Sequence, residues 1–148
     1  MPTYSVSSVG VFLSIQQKKK VAEAITESHH DNTGAPGFFA QVFFKNCAGE
    51  DHFLGGNQNT HPHIFINGLI RVGRSAEAKN SLMTRVVAAV AEICSIGRED
   101  IWMYIQDISA AQMIEYGRVL PEPGLEAEWI EKVSPEKRVA LADDGVNL

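Results

Sequence analysis

One order of elements is written twice in this chain, and the repetition narrows the folds open to it. Residues 2–8, with Pro2 heading the alternating Thr3-Tyr4-Ser5-Val6-Ser7, read as a half-buried strand. Ser14-Ile-Gln-Gln17 has capping-box spacing, which opens a helix expected to reach about Asn32 with Ala22, Ile25 and His29 on one face. Thr33-Gly34-Ala35-Pro36-Gly37 breaks it, and Phe38-Phe39-Ala40-Gln41-Val42-Phe43-Phe44 reads as a buried strand. A polar, Gly- and Asn-rich segment at 46–62 follows, with a short hairpin expected around Phe53-Leu54.

The order then recurs. Residues 63–70 read as a strand, and Ser75 as the N-cap of a helix with Glu77 in its first turn. Leu82, Met83, Val86, Val87, Val90 and Ile93 form its broad apolar face, Gly97 is expected to close it, and Ile101-Trp102-Met103-Tyr104-Ile105 reads as a second buried strand. Superposing the strands at Phe39 and Ile101 offsets the halves by about 62 residues. Parallel crossovers are right-handed, so the expected fold class is α+β: two consecutive β-α-β units forming a four-stranded mixed sheet with two helices on one face. The other face needs a cover, most simply by oligomerisation.

The halves, about 1–60 and 61–133, are expected to make a single domain over 1–148 with a C-terminal tail. That tail carries Met113-Ile114-Glu115-Tyr116-Gly117-Arg118, a Pro-Glu-Pro-Gly break at 121–124 and a short helix through Trp129 to about Val133. Beyond Ser134-Pro135 a loosely held helix or frayed end is expected.

A chain of 148 residues buries roughly 68–70% of its unfolded surface, so it needs no disulfide staple. Cys47, in a polar loop, and Cys94, in an apolar helix, lack metal or redox spacing and read as reduced thiols of a cytoplasmic protein. The 13 Lys and Arg against 18 Asp and Glu give a net charge of −5, which argues against nucleic acid as a partner. No apolar run has the length of a membrane span or the pattern of a leader. A small anionic ligand would need its own local cations.

Arg71 and Arg74 offer them. They flank Gly73 between a strand end and a helix start, where cations oppose the helix dipole, and a bound carboxylate or phosphate resolves that conflict. Two solvated arginines paired with surface acids are the plainer alternative. Pro2 is the other unusual group. Once Met1 is removed its nitrogen is a free secondary amine, and an unperturbed α-amino group titrates near roughly 7.7–8.0, where proton transfer is useful.

The remaining candidates are individually ambiguous. His29 suits a core or helix-end histidine, and His30 is expected in solvent. His52, His61 and His63 have the elements of a metal site, but Pro62 intervenes and no carboxylate joins them, so no metal or other cofactor is expected. Tyr104 needs a hydroxyl partner if buried, and Glu115 becomes a candidate base if buried beside other charges.

Taken together, these residues resemble the tautomerase superfamily, built from β-α-β units around an amino-terminal proline, and within it the cis-3-chloroacrylic acid dehalogenase family. The resemblance is carried by Met1-Pro2, Ala24-Ile25-Thr26-Glu27-Ser28-His29, Gly68-Leu69-Ile70-Arg71-Val72-Gly73-Arg74-Ser75, Ile101-Trp102-Met103-Tyr104, Gln112-Met113-Ile114-Glu115-Tyr116-Gly117-Arg118, the Pro-Glu-Pro-Gly break and Trp129. It implies Pro2 as the catalytic proline and His29, Arg71 and Arg74 as holders of a substrate carboxylate. It implies Tyr104 with Glu115 as the pair that positions and activates water, Thr33 and Arg118 as possible additional site residues, and a homotrimer. Water would add to C3 of a 3-haloacrylate while prolinium protonates C2, and the halohydrin would collapse to malonate semialdehyde. One departure is Ala35, where these dehalogenases carry a second threonine after Thr-Gly. Homologues without it resemble weak dehalogenases that hydrate, and sometimes decarboxylate, acetylenic and allenic acids. Two other readings stay open: a keto–enol tautomerase with neutral Pro2 as base, and a non-catalytic oligomeric binding protein if Met1 is retained.

Overall fold

The computed structural model describes residues 2–34 and 40–146. Its centre is a four-stranded mixed sheet made of β1 (Thr3–Val9), β2 (Gln41–Cys47), β5 (His63–Arg71) and β6 (Ile101–Ile108), in the order β2-β1-β5-β6. β1 pairs in parallel with β2, β5 in parallel with β6, and β1 with β5 antiparallel in the middle. Helix α1 (Ile15–Thr33) makes the first crossover and α2 (Ala76–Cys94) the second. The doubled β-α-β pattern is therefore realised as expected.

Period-2 alternation decides which side chains meet the helices. Tyr4 and Val6 of β1, and Ile64, Ile66 and Ile70 of β5, are fully buried against Val21 and Ile25 of α1 and Leu82, Val86 and Val90 of α2. Each such aliphatic side chain contributes about 1.5–3 kcal/mol on burial, so this layer supplies most of the cohesion. The other face is open in the protomer. Phe43, Trp102 and Tyr104 stand on it 53%, 43% and 55% exposed. The strands expected to be buried are thus half-buried: β2 is an edge strand, and β6 extends to Ile108 with one side uncovered. Phe38 and Phe39 lie outside the described residues.

Helix ends follow local chemistry. Ser14 and Gln17 form the reciprocal capping box, Ser75 caps α2 through its side chain, and Gly34 takes the left-handed conformation (φ 67°) that closes α1. At the end of α2 that conformation belongs to Ser95 (φ 54°), not Gly97, which stays at φ −61° and leads into a short 3-10 turn. The helix buries Cys94 and must stop there, because β6 starts only a few residues later. Cys47 ends β2 and is not in a loop.

Two small hairpins punctuate the chain, β3 (Phe53–Leu54) with β4 (Asn57–Gln58) and β7 (Ile114–Glu115) with β8 (Arg118–Val119). In the second, Tyr116 and Gly117 both have positive φ (50° and 77°), as a two-residue type I′ turn requires. The tail packs as a second apolar cluster of Ala110, Leu120, Trp129 and Val133. Within it, α3 (Glu126–Glu131) is the short helix expected through Trp129, ending two residues before Val133. The last segment is better held than expected. Helix α4 (Pro135–Asp143) is capped by Ser134, has proline in its first turn and buries Leu141.

Candidate active site

The topology collects the chemistry at one end of the sheet. Because β1 and β5 are antiparallel, the start of β1 lies beside the end of β5: Thr3 faces Leu69, two residues before Arg71. Each crossover helix runs back along its strands, so α1 ends where β1 begins and α2 begins where β5 ends. Pro2, the His29 end of α1, Arg71, Arg74 and the end of β6 therefore share one edge of the molecule. Pro2 is buried there, and its carbonyl accepts from Gln41 N–H at 3.1 Å.

His29 is buried, and its Nδ1 lies 2.8 Å from the hydroxyl of fully buried Tyr4. Burial pushes its pKa down to about 4, helped by the Arg74 guanidinium, the charged amino terminus and His30. Thr33 Oγ1 donates to the His29 carbonyl at 2.7 Å and Asn32 Nδ2 to the Ser28 carbonyl at 2.7 Å, which satisfies the last turn of α1. His30 is exposed.

The arginines behave differently from one another. Arg71, its side chain only 10% exposed, donates Nη1 to the Pro121 carbonyl at 2.8 Å and Nη2 to Glu126 Oε1 at 2.5 Å. Arg71 is thus paired with an acid, as the plainer alternative has it, but it is buried and not solvated. Glu126 Oε2 in turn accepts from Gly124 N–H at 2.7 Å. Burial pushes the Glu126 carboxyl up, but hydrogen bonds from Arg71 and from backbone N–H groups hold it below the ordinary range. Arg74 has no such ion pair among the described residues. Its Nε is a buried donor without a hydrogen-bond acceptor among the described residues, and desolvation together with Arg71 lowers its pKa, against the opposing pull of Glu126 and Asp107. A carboxylate would satisfy that donor.

The β7–β8 hairpin presents Glu115 opposite Arg118. Burial raises the Glu115 pKa, while the amino-terminal charge, a hydrogen bond from that terminus and the charge of Arg71 pull it down. Glu115 thus has both the amino terminus and Arg71 as electrostatic neighbours. Arg118 turns away to the tail, its Nε donating to the Lys132 carbonyl at 3.0 Å. Trp129 Nε1 donates to the Val119 carbonyl at 2.8 Å, so the tail cluster grips the hairpin that carries Glu115. Tyr104 is the outlier. It stands on the open sheet face, edge-on to Phe65 with ring centroids 5.1 Å apart.

Two participants escaped sequence reading. Tyr4 was readable only as an inward position of an alternating strand, and Glu126 as one of several acids in the tail. Their partners, 25 and 55 residues away, are set by tertiary contact. At the opposite end of the sheet, His63 stacks on His52 with centroids 4.7 Å apart and meets Trp102 edge-on, while His52 Nδ1 is bonded to Asn59. Among the described residues, no group of three or more His, Cys, Asp or Glu is gathered to hold a metal ion, and no helix is long and apolar enough to cross a membrane. Both cysteines are free.

A four-stranded sheet of paired β-α-β units, with a buried proline heading its first central strand, defines a tautomerase fold. Residues 1–133 match the family described as "Putative oxalocrotonate tautomerase enzyme", and the chain belongs to this tautomerase superfamily. A crystal structure of N1, a member of the cis-3-chloroacrylic acid dehalogenase family, superposes with a TM-score of 0.84 at 32% identity, covering 95% of this chain and 99% of that one. Pt0534 inactivated by 2-oxo-3-pentynoate has a TM-score of 0.71 at 22% identity (80% and 95% covered). A fused 4-OT asymmetric trimer has a TM-score of 0.70 at 18% identity (79% and 94% covered). No curated protein sequence matches.

Proposed function

We propose that the protein adds water, without a cofactor, to a short unsaturated carboxylate such as a cis-3-haloacrylate or an acetylenic acid. The amine of Pro2, freed by loss of Met1, is the general acid. The observation that carries this reading is half-buried Glu115 beside the amino terminus, a carboxylate partly withdrawn from water and next to a cation. Glu115 favours the charged prolinium, whereas arginines favour the neutral amine. Glu126 already compensates Arg71 at 2.5 Å, so the balance leans toward prolinium and toward acid catalysis.

In this mechanism Arg74, with its free Nε, joins Arg71 and His29 in holding the substrate carboxylate, which draws electron density away from C3. Glu115 takes a proton from water, the hydroxide bonds to C3, and prolinium protonates C2. The resulting halohydrin loses halide and a proton to give malonate semialdehyde. Propynoate reaches the same aldehyde through its enol. The Tyr104 hydroxyl would assist water only in an assembly that covers the open sheet face. A homotrimer burying Phe43, Trp102 and Tyr104 would supply that cover, and the fused 4-OT is described as a trimer.

Intact mass first establishes loss of Met1. Chloride release and malonate semialdehyde formation from cis-3-chloroacrylate and propynoate are then measured, and no turnover of either with the proline amine free overturns the proposal. Arg74, a cation whose Nε lacks an acceptor among the described residues, favours a second reading, a keto–enol tautomerase with neutral Pro2 as base. Ketonisation of phenylpyruvate that survives Glu115→Gln but not Pro2→Ala would establish that reading instead. Pt0534 is inactivated by 2-oxo-3-pentynoate, and this ynone would report the same distinction here, since only a neutral amine adds to it.

A further inference from the structure

We infer that Tyr4 fixes His29 as the neutral Nε2–H tautomer, so that the imidazole meets the substrate carboxylate as an uncharged donor beside the two arginines. The inference rests on the carboxylate-binding role given to His29 above, but its tautomer is readable independently of any reaction. The contact is 2.8 Å between two buried groups, Tyr4 Oη and His29 Nδ1. A phenol hydroxyl is one donor with acceptor capacity, and a neutral imidazole carries one donor and one acceptor nitrogen. If Nδ1–H donated to the phenol oxygen, the phenol proton would need another acceptor, and fully buried Tyr4 makes no second hydrogen bond among the described residues. If the phenol donates to Nδ1, the one contact satisfies both groups, and the ring's proton must reside on Nε2.

The strand pairing is shaped to allow this contact. Tyr4 lies opposite Gly68, and a Cβ at that position would sit 2.6 Å from Tyr4 Cε1. Glycine therefore leaves the space in which the ring crosses β5 toward α1. The other nitrogen, Nε2, has no partner among the described residues. The charges that bear on the imidazole are Arg74, the amino terminus and His30, all cationic or potentially so. They disfavour a third full charge, as burial does. The chemical benefit follows from the mechanism: imidazolium would bind the carboxylate but also depress the pKa of prolinium, whereas a neutral N–H binds the carboxylate without that penalty.

The experiment is long-range 1H–15N correlation NMR on 15N-histidine-labelled protein at neutral pH. His29 should show a pyrrole-like Nε2 and a pyridine-like Nδ1, and the reverse pattern overturns the inference. In Tyr4→Phe, which removes only the hydroxyl, a second tautomer should appear and the His29 titration midpoint should rise. Acrylate binding should weaken roughly 2- to 10-fold, the share of one neutral hydrogen bond. A single unchanged tautomer with unchanged acrylate binding in this variant also overturns it. If the tautomer and acrylate results hold but no unsaturated acid turns over, the proposed hydration falls and the role of Tyr4 stands.

Discussion

The two β-α-β halves share a construction but bring different things to the same edge of the sheet. The first half ends its helix there, and supplies Pro2, Tyr4 and a buried, neutral-favouring histidine. The second half begins its helix there, and supplies two arginines within four residues of one another, one ion-paired with Glu126 and one whose Nε has no acceptor among the described residues. Repetition of the fold set the architecture, while the antiparallel pairing of β1 with β5 made the halves complementary. On the proposed function, the first half would hold the reacting group and the second the charge that attracts substrate.

That division is open to direct attack. Pro2→Ala should lower kcat by ~10²–10⁴-fold, the usual loss for a general acid, with little change in KM in a halide-release assay. If the loss appeared in KM instead, the division would fail. Arg71→Ala and Arg74→Ala should each raise KM by roughly 10- to 100-fold, in line with loss of a charge-assisted hydrogen bond. Only the first should also lower the midpoint of urea unfolding, because it strands Glu126, a loss of about 1–3 kcal/mol after allowing for partial exposure of that pair. Arg74→Ala should leave stability unchanged or improved, since it removes an unsatisfied buried donor.

The histidine of the first half supplies a pH test. Its folded pKa, about 4, lies below the unfolded value of 6.5, so the unfolded chain binds more protons between those limits. Stability is then complete above about pH 6.5 and falls as the pH drops toward 4, by up to about 3 kcal/mol at 1.36 kcal/mol per pH unit. Urea titrations of the wild type and of His29→Asn across that window should diverge at neutral pH and converge at the acid end. The smallest effect is expected where the helices of the two halves meet on the surface. Arg85 and Asp31 are 2.8 Å apart but about half exposed, so Asp31→Asn should change stability by less than ~1 kcal/mol.

Much of this was legible in the amino-acid sequence, because local chemistry sets it. The capping box at Ser14 and Gln17, the Ser75 cap, the alternation of β1 and the apolar stripe of α2 depend only on neighbours along the chain. Gly97 misled because a glycine signals a stop without saying where, and Ser95 reached the left-handed conformation first. The buried look of Phe43 and Trp102 misled for another reason. An apolar strand face is an instruction to be covered, and among the described residues of the protomer it is left about half exposed. The extent of the tail was hidden because Trp129 and Leu120 bury only against each other's segments.

The sequence by itself determined the doubled β-α-β order, the helix starts and the types of side chain available for chemistry, since propensity, capping and periodicity act over a few residues. Tertiary structure alone decided which of them meet. The packing of α1 on β1 brings Tyr4 to His29, the antiparallel joining of the halves sets the start of β1 beside the end of β5, and the return of the tail brings Glu126 to Arg71 and Glu115 beside the amino terminus. Those contacts set the protonation states at the site. They depend on distance through space and on loss of water, which no spacing along a chain encodes.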